Sequence, residues 1–535
     1  MDDHLNKFKI SRYFPWIAMG MILVLTVFLR ISMLEIPLER DEGEYAYMGQ
    51  LLLQGIPPYL HIYSMKLPGL CVIYSVIMGI FGQSIFAIHL GLLIFNGFAI
   101  VLVFLLTRYL ADEFAGVIAA LVYALLSVSP SVKGTFAHAT QFIVPIVLGG
   151  LLLLLKAIDQ KKIWMLVASG FLLGSAFILK QHAIFFVLFA ICYCFWRLLN
   201  MPMKKIEVFS KILILIISSL LPFLITCGLL YLSGVFSTFW FWAFTYASKY
   251  ASVKPISFAL MQFTKWILRV IYPWKFIWLI AAIGLFTIIL NEKNRSNVVF
   301  GVGFLVFSFL TICPGFYFRP HYSVTLLPAI AMLSGIAISA SITYLPKRLP
   351  PYLKTLPVFL IILALGLPAW QQKNFFCANF VETSRMLYSA SNPFYESLVV
   401  SKYIKNHSSE TDTIAVLGSE PQIYFYSNRK SATGYIYMYG LMEHHVYASQ
   451  MQKNLIREIE SSKPRYIVFV NTELSWSENY VSDPYIFEWT YKHIKDHYLL
   501  KHVIKSMSYL RIKTVIKSRD TRQGRDPLFL VFERK

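Results

Sequence analysis

Five acidic residues, Glu35, Glu39, Asp41, Glu42 and Glu44, fall within ten positions, although the first 370 residues hold only twelve acids. They follow an apolar stretch, residues 14–34, long enough to cross a bilayer. Carboxylates at a membrane boundary are costly, so a cluster of them points to a task. Asp41-Glu42 at its centre reads as the core of a lipid-facing active site, where a carboxylate can serve as general base. Asp41 also suits the cap of a helix over residues 44–53, and capping does not exclude catalysis. Glu35, Glu39 and Glu44 read as interfacial or helix-start charges.

Other residues able to do chemistry lie where the chain enters or leaves apolar surroundings. A breaker-rich turn, Gly55-Ile56-Pro57-Pro58-Tyr59, leads to Tyr63, then Lys66-Leu67-Pro68-Gly69 before the next apolar stretch. A lysine in that position can bind a lipid phosphate, or simply snorkel to water. Lys180 and His182 close another apolar stretch, and Arg319, His321 and Tyr322 open a later one.

The elements that must position these residues are membrane helices. The chain has 535 residues, 57% of them hydrophobic, and a mean hydropathy of +0.58. That excludes an ordinary soluble class and predicts a polytopic α-helical membrane protein. Eleven spans are expected, near 14–34, 85–107, 115–132, 141–155, 163–179, 183–200, 211–234, 273–290, 297–312, 321–344 and 354–370, with thirteen as an upper count. Composition turns polar near residues 371–390, dividing a transmembrane catalytic domain, 1–370, from a C-terminal domain, 371–535. The net charge of +21 sits largely in loops between apolar stretches. It argues for topology and lipid headgroups, not for nucleic acid. The six cysteines show neither zinc spacing nor a disulfide framework.

Residues 67–82 would reach only ~24 Å as a helix, short of a ~30 Å hydrocarbon core. Laid along or dipping into the outer surface, they leave the N-terminus (Lys7, Lys9, Arg12) and the clusters Lys156/Lys161/Lys162, Arg197/Lys204/Lys205/Lys211, Lys293/Arg295 and Lys347/Arg348/Lys354 in the cytoplasm. The first external loop is then about 35–84. Residues 235–272, with Lys249, Lys254, Lys265, Arg269 and aromatic neighbours, form an external loop suited to an interfacial helix. This arrangement brings the acidic cluster, Lys66, His138, Lys180, His182, Arg319 and His321 to the same external face. The C-terminal domain is external too. Strands are expected at 413–417, 423–426, 466–470 and 528–532 and helices near 398–406 and 442–460, an α/β domain. Asn406-His407-Ser408 fits a glycosylation sequon.

The order Asp-Glu-x-x-Tyr-Ala, a Pro-Pro turn, then Tyr-x-x-Lys-x-Pro resembles the first external loop of GT-C glycosyltransferases that use polyprenyl-phosphate sugars. The protein O-mannosyltransferases and lipid A aminoarabinose transferases are the nearest branches. Their Lys-Pro-Pro-Leu stands here as Lys66-Leu67-Pro68-Gly69. Gly170-Phe-Leu-Leu-Gly174 followed by Lys180 is similar to the family's Gly-rich helix ending in lysine, and Arg319-Pro320-His321-Tyr322 with Leu326-Leu327-Pro328 to its His-Tyr…Pro element.

The resemblance implies a plasma- or inner-membrane enzyme that moves a sugar from a polyprenyl monophosphate to a glycan, lipid or protein acceptor, with inversion. Asp41 would take the acceptor's proton, supported by Glu42. Lys66, Tyr63, Lys180, His182, Arg319, His321 and Tyr322 would hold the carrier phosphate. Many members carry another acid in the loop that here reads Ser131-Val-Lys-Gly-Thr-Phe-Ala-His138-Ala-Thr140-Gln141. Without it a hard-metal site lacks oxygen ligands, so metal-independent chemistry is expected. The alternative is a non-catalytic carrier-lipid binding or transport protein. Internal inverted repeats would favour a transporter, and none is evident.

Overall fold

The computed structural model describes residues 13–252, 255–290, 295–344, 350, 355–389, 391–478, 480–505 and 527–535. The basic residues Lys7, Lys9, Arg12, Lys254, Lys293, Lys347, Arg348 and Lys354 lie outside the described residues. The chain forms two compact units, Met1–Ser32 with Gly91–Ile225 and Lys254–Phe376, and Met33–Leu90 with Thr226–Val253 and Cys377–Lys535. This division is interleaved, unlike the two consecutive stretches expected from composition. The first-loop residues 33–90 group with residues 226–253 and with the C-terminal residues from Cys377 onward.

The first unit is helical. It contains α1 (Phe14–Ile31), most of α4 (Ile85–Leu110), α5 (Glu113–Val128), α6 (Ala139–Gln160), α7 (Ile163–Leu179), α8 (Ile184–Leu199) and most of α9 (Lys205–Leu232). After α10 (Phe236–Trp240) and α11 (Ala247–Ser252) in the other unit come α12 (Ile256–Trp266), α13 (Lys275–Leu290), α14 (Arg295–Leu310), α15 (Leu327–Tyr344) and the helix Leu356–Gln371. Six described helices are long and apolar enough to cross a membrane, and shorter apolar helices accompany them. Each of the eleven expected spans coincides with an apolar helix. On α9, Phe209, Leu213, Leu220, Leu224 and Leu232 are exposed. A helix apolar on every side yet uncovered by protein is solvated by lipid. The chain is a multi-pass membrane protein. Helices α7 and α9 meet at Gly170 and Gly174, where a Cβ would lie 2.0 Å from Ser218 Oγ and 2.0 Å from Ser219 O. Only glycine permits that approach of two backbones, the usual means of joining helices in lipid.

The second unit holds α2 (Arg40–Leu53), α3 (Gly69–Phe81), α10, α11 and the C-terminal α/β part. Thirteen residues give α3 a reach of ~20 Å. It buries Leu70, Cys71, Tyr74, Ile77 and Met78 and leaves Val72, Val76 and Ile80 exposed along one stripe. The sheet has strand order β2-β1-β3-β5-β4, with β1 Thr413–Leu417, β2 Lys430–Ser431, β3 Tyr466–Val470, β4 Tyr498–Lys505 and β5 Pro527–Arg534. β1 runs parallel to β2 and β3, and β5 is antiparallel to β3 and β4.

Two sequence expectations are corrected. Residues 423–426, expected as a strand, lie in the helix Gln422–Ser427, which begins directly after Pro421. So short an apolar run carries no decisive period. The helix expected over 44–53 begins earlier, at Arg40, and Glu39 caps it rather than Asp41. Glu39 Oε1 accepts from the Glu42 N–H at 3.0 Å, and Glu42 Oε2 accepts from the Glu39 N–H at 3.1 Å. This reciprocal capping box satisfies two donors that a helix start leaves without partners.

Candidate functional site

The acidic cluster is organised by its capping box. With the helix starting at Arg40, Asp41 and Glu44 are three residues apart and share a face. Lys66 reaches that face from the following loop. Its ammonium lies 2.7 Å from Asp41 Oδ1 and 2.6 Å from Glu44 Oε2. It also stands 4.5 Å from the centre of the Tyr45 ring and 5.5 Å from that of Tyr437. The Tyr437 hydroxyl donates to Asp41 Oδ1 at 3.4 Å. Burial opposes the charge on Lys66, but Asp41 and Glu44 outweigh it and hold the ammonium well above the usual lysine range. The Asp41 side chain is 23% exposed and that of Glu44 3%. A partly open carboxylate beside a fixed cation can receive a proton from a bound hydroxyl.

Lys66, expected to hold a carrier phosphate, is therefore paired with two carboxylates. Tyr63, assigned to the same phosphate, donates its hydroxyl to Glu458 Oε1 at 3.0 Å and stacks on Trp242. Glu44, read as a helix-start charge, is instead half of the Lys66 clamp. Its i+3 spacing from Asp41 was a signal in the sequence.

Glu42 supports Asp41 from inside. It is fully buried, and besides the capping bond its Oε1 lies 3.0 Å from His89 Nε2. His89 Nδ1 lies 3.1 Å from the Leu34 carbonyl, which can only accept. Nδ1 thus carries hydrogen. Arg40 forms a buried ion pair with Glu420 at 2.7 Å. Tyr47 stacks on Tyr424, its hydroxyl accepting from the Ser431 N–H at 2.8 Å. These bonds fix the helix that carries Asp41 on the C-terminal α/β part. Glu39 is buried, and burial followed by the charges of Asp41 and Glu42 pushes its carboxyl well above the usual range.

The first unit contains a second constellation, rich in cations. Pro320–Thr325 forms a 3₁₀ turn before α15, and it carries His321 and Tyr322. His321 stacks on His138 with ring centres 4.1 Å apart, and its carbonyl accepts from Thr140 Oγ1 at 2.8 Å. Lys180 Nζ sits 3.8 Å above the Tyr322 ring, which also meets His182 edge-on. His182 Nδ1 donates to the Thr311 carbonyl at 3.0 Å. Burial, then His138, Lys180, Arg319 and Lys133, depress the basicity of His321 well below the usual histidine range. It stands inside a ring of positive charge suited to an anion. Lys180, His182, Arg319, His321 and Tyr322 thus lie together, joined by Lys133 and His138.

The loop bearing Lys133 and His138 is pinned by Arg30 of α1. Its guanidinium donates to Gly134 O at 3.0 Å and Ser127 O at 3.1 Å, and Gln141 Nε2 donates to Gly134 O at 3.0 Å. Gln141, which follows the loop that lacks the family's second acid, thus holds that loop.

These features define a multi-pass helical membrane protein that shares its fold with solved membrane proteins. Residues 67–226 match the family described as dolichyl-phosphate-mannose-protein mannosyltransferase. Among solved structures, ArnT from Cupriavidus metallidurans bound to undecaprenyl phosphate is similar, with a TM-score of 0.60 and 12% identity over 98% of each chain. The oligosaccharyltransferase AglB from Archaeoglobus fulgidus, in complex with an inhibitory peptide and a dolichol-phosphate, has a TM-score of 0.57 and 13% identity. That match covers 86% of this chain and 70% of AglB. No curated protein matches by sequence.

Proposed function

We propose that this chain transfers a sugar from a polyprenyl monophosphate to a hydroxyl acceptor on the extracytoplasmic face of the cell membrane. Asp41 accepts the acceptor's proton as its oxygen bonds to the anomeric carbon. The bond from that carbon to the phosphate oxygen breaks on the opposite side, and its electron pair leaves with the polyprenyl phosphate. Configuration at the anomeric carbon inverts. Lys180, Arg319 and Lys133 neutralise the departing phosphate, and His321 or His182 donates to its oxygens. Lys66 fixes Asp41, Glu42 and His89 fix the helix under it, and Tyr63 holds the loop that leads to Lys66.

Support comes above all from the half-open Asp41 held at 2.7 Å by Lys66. General bases in such settings contribute typically 10²–10⁴-fold. The carriers bound by the solved relatives, undecaprenyl phosphate for ArnT and dolichol-phosphate for AglB, favour a polyprenyl donor here. The N-terminus is assigned to the cytoplasm and the C-terminal α/β part to the exterior by the positive-inside rule, and the exposed stripe of α3 suits a helix lying on the outer leaflet. The proposed chemistry is metal-independent, with the Lys66 ammonium supplying the positive charge beside Asp41 and Glu44.

The test is transfer by the purified chain from short-chain polyprenyl-phosphate sugars to a hydroxyl acceptor. Asp41→Asn should abolish transfer with donor binding retained, and Arg319→Ala should raise the KM for donor. Undiminished transfer by Asp41→Asn removes Asp41 from the mechanism. Carrier binding without turnover under any donor favours a carrier-lipid binding or transport protein.

A further inference from the structure

A cavity of about 510 Å³ lies within the second unit, lined among others by Glu35, Gln50, Gln83, Phe86, Lys402 and Lys405. It is separate from the acidic cluster. Gln50 follows Asp41 by nine residues on α2, roughly two and a half helical turns, which puts it on the opposite face.

The chain itself places this cavity at the edge of the bilayer. Glu35 comes four residues after α1 ends, and Gln83 two residues before α4 begins. Both α1 and α4 are apolar enough to span. Phe86, in the first turn of α4, is 43% exposed and offers apolar surface beside the polar lining.

The charges are arranged for a ligand. Lys402 and Lys405 stand three residues apart on the helix Phe394–His407, hence on one face. Both are exposed, as is Glu35. Among the described residues none of the three side chains has an ion-pair partner. Two ammonium groups and one carboxylate around one cavity match a headgroup bearing both a phosphate and an amine. The buried Gln50 amide, bonded to Gln83 Oε1 at 3.0 Å, closes the polar floor.

We propose that this cavity holds the headgroup of an amine-bearing membrane phospholipid, with Lys402 and Lys405 on its phosphate and Glu35 on its amine. An acyl chain runs out along Phe86. A carrier polyprenyl phosphate has the phosphate and the apolar chain but no amine, so Glu35 disfavours it.

The test is lipid retention by the full-length chain in detergent, read by native mass spectrometry after titration with phosphatidylethanolamine, phosphatidylglycerol or a short polyprenyl phosphate. Phosphatidylethanolamine should be retained better than phosphatidylglycerol. The double variant Lys402→Ala/Lys405→Ala should lower its retention at least tenfold while melting as the parent does. Glu35→Gln should remove the preference over phosphatidylglycerol, and Asp41→Asn should leave retention unchanged. Because the double variant leaves Lys180, Arg319 and Lys133 in place, its loss reports on this cavity independently of the proposed transferase site. Equal retention by the parent and the double lysine variant overturns the proposal. So does an equal loss of polyprenyl phosphate retention in the double lysine variant, which makes the cavity a carrier site, and so does indifference to the amine in the parent.

Discussion

Lys66→Met and Asp41→Asn remove opposite ends of one ion pair, and the geometry predicts different consequences. Lys66 lies 2.7 Å from Asp41 and 2.6 Å from Glu44. Taking one partner from a buried pair costs about 3–5 kcal/mol, because the remaining charge is stranded. In Lys66→Met the stranded charge is mainly Glu44, whose side chain is 3% exposed, since Asp41 at 23% is partly solvated. A stranded carboxylate can escape by binding a proton. For an ordinary glutamate that costs ~3.7 kcal/mol at pH 7 and ~1 kcal/mol at pH 5. Destabilisation should therefore approach 3–4 kcal/mol at pH 7 and shrink to roughly 1 kcal/mol at pH 5. Asp41→Asn leaves Lys66 paired with Glu44 and gives up a partly solvated contact, about 1 kcal/mol or less. Its damage should be kinetic, a loss of 10²–10⁴ in transfer rate, equal to roughly 3–5 kcal/mol of barrier. Thermal melting in detergent from pH 5 to 8, with transfer rates beside it, separates the two. Unchanged melting of Lys66→Met at pH 7, or a loss that does not shrink at pH 5, would refute the stranded-charge reasoning.

Burial and neighbouring acids raise the Glu39 carboxyl well above its ordinary 4.5. Its native state prefers the protonated form, so its stabilising share is complete below that value and is lost as pH rises through the folded-state value. Glu39→Gln, whose amide oxygen can still accept the capping bond, should melt like the parent near pH 4.5 and above it at pH 7 to 8. Arg30→Lys should raise the KM for donor more than it lowers the melting temperature, because the shorter side chain loses the pair of guanidinium nitrogens that hold the Gly134 and Ser127 carbonyls separately, and the loop bearing Lys133 and His138 relaxes. An equal effect on kcat alone would contradict that positioning role. Transfer should persist within twofold after exhaustive chelation, and a loss restored by added divalent ion would overturn metal independence.

Local sequence pattern made the helices and the principal residues legible. Apolar runs dictate membrane helices because lipid leaves backbone groups no partner outside the helix. Asp41, Lys66, Lys180, Arg319 and His321 stood out because charges at the ends of such runs are costly. β1 and β3 were legible as short β-branched runs. The aromatic run at 423–426 was not, since its period is too short to choose between helix and strand.

Partnership was decided only by the tertiary structure. Nothing local links Tyr437 to Asp41, 396 residues away, or Glu420 to Arg40, 380 residues away. The bond of His89 to Glu42 and the stacking of His321 on His138 likewise join distant segments. Sequence could therefore name a base and a set of cations. That Lys66 is clamped by two carboxylates, and that Glu44 is one of them, depends on how α2 meets the following loop. Ion pairing is a matter of ångströms, and only packing fixes those.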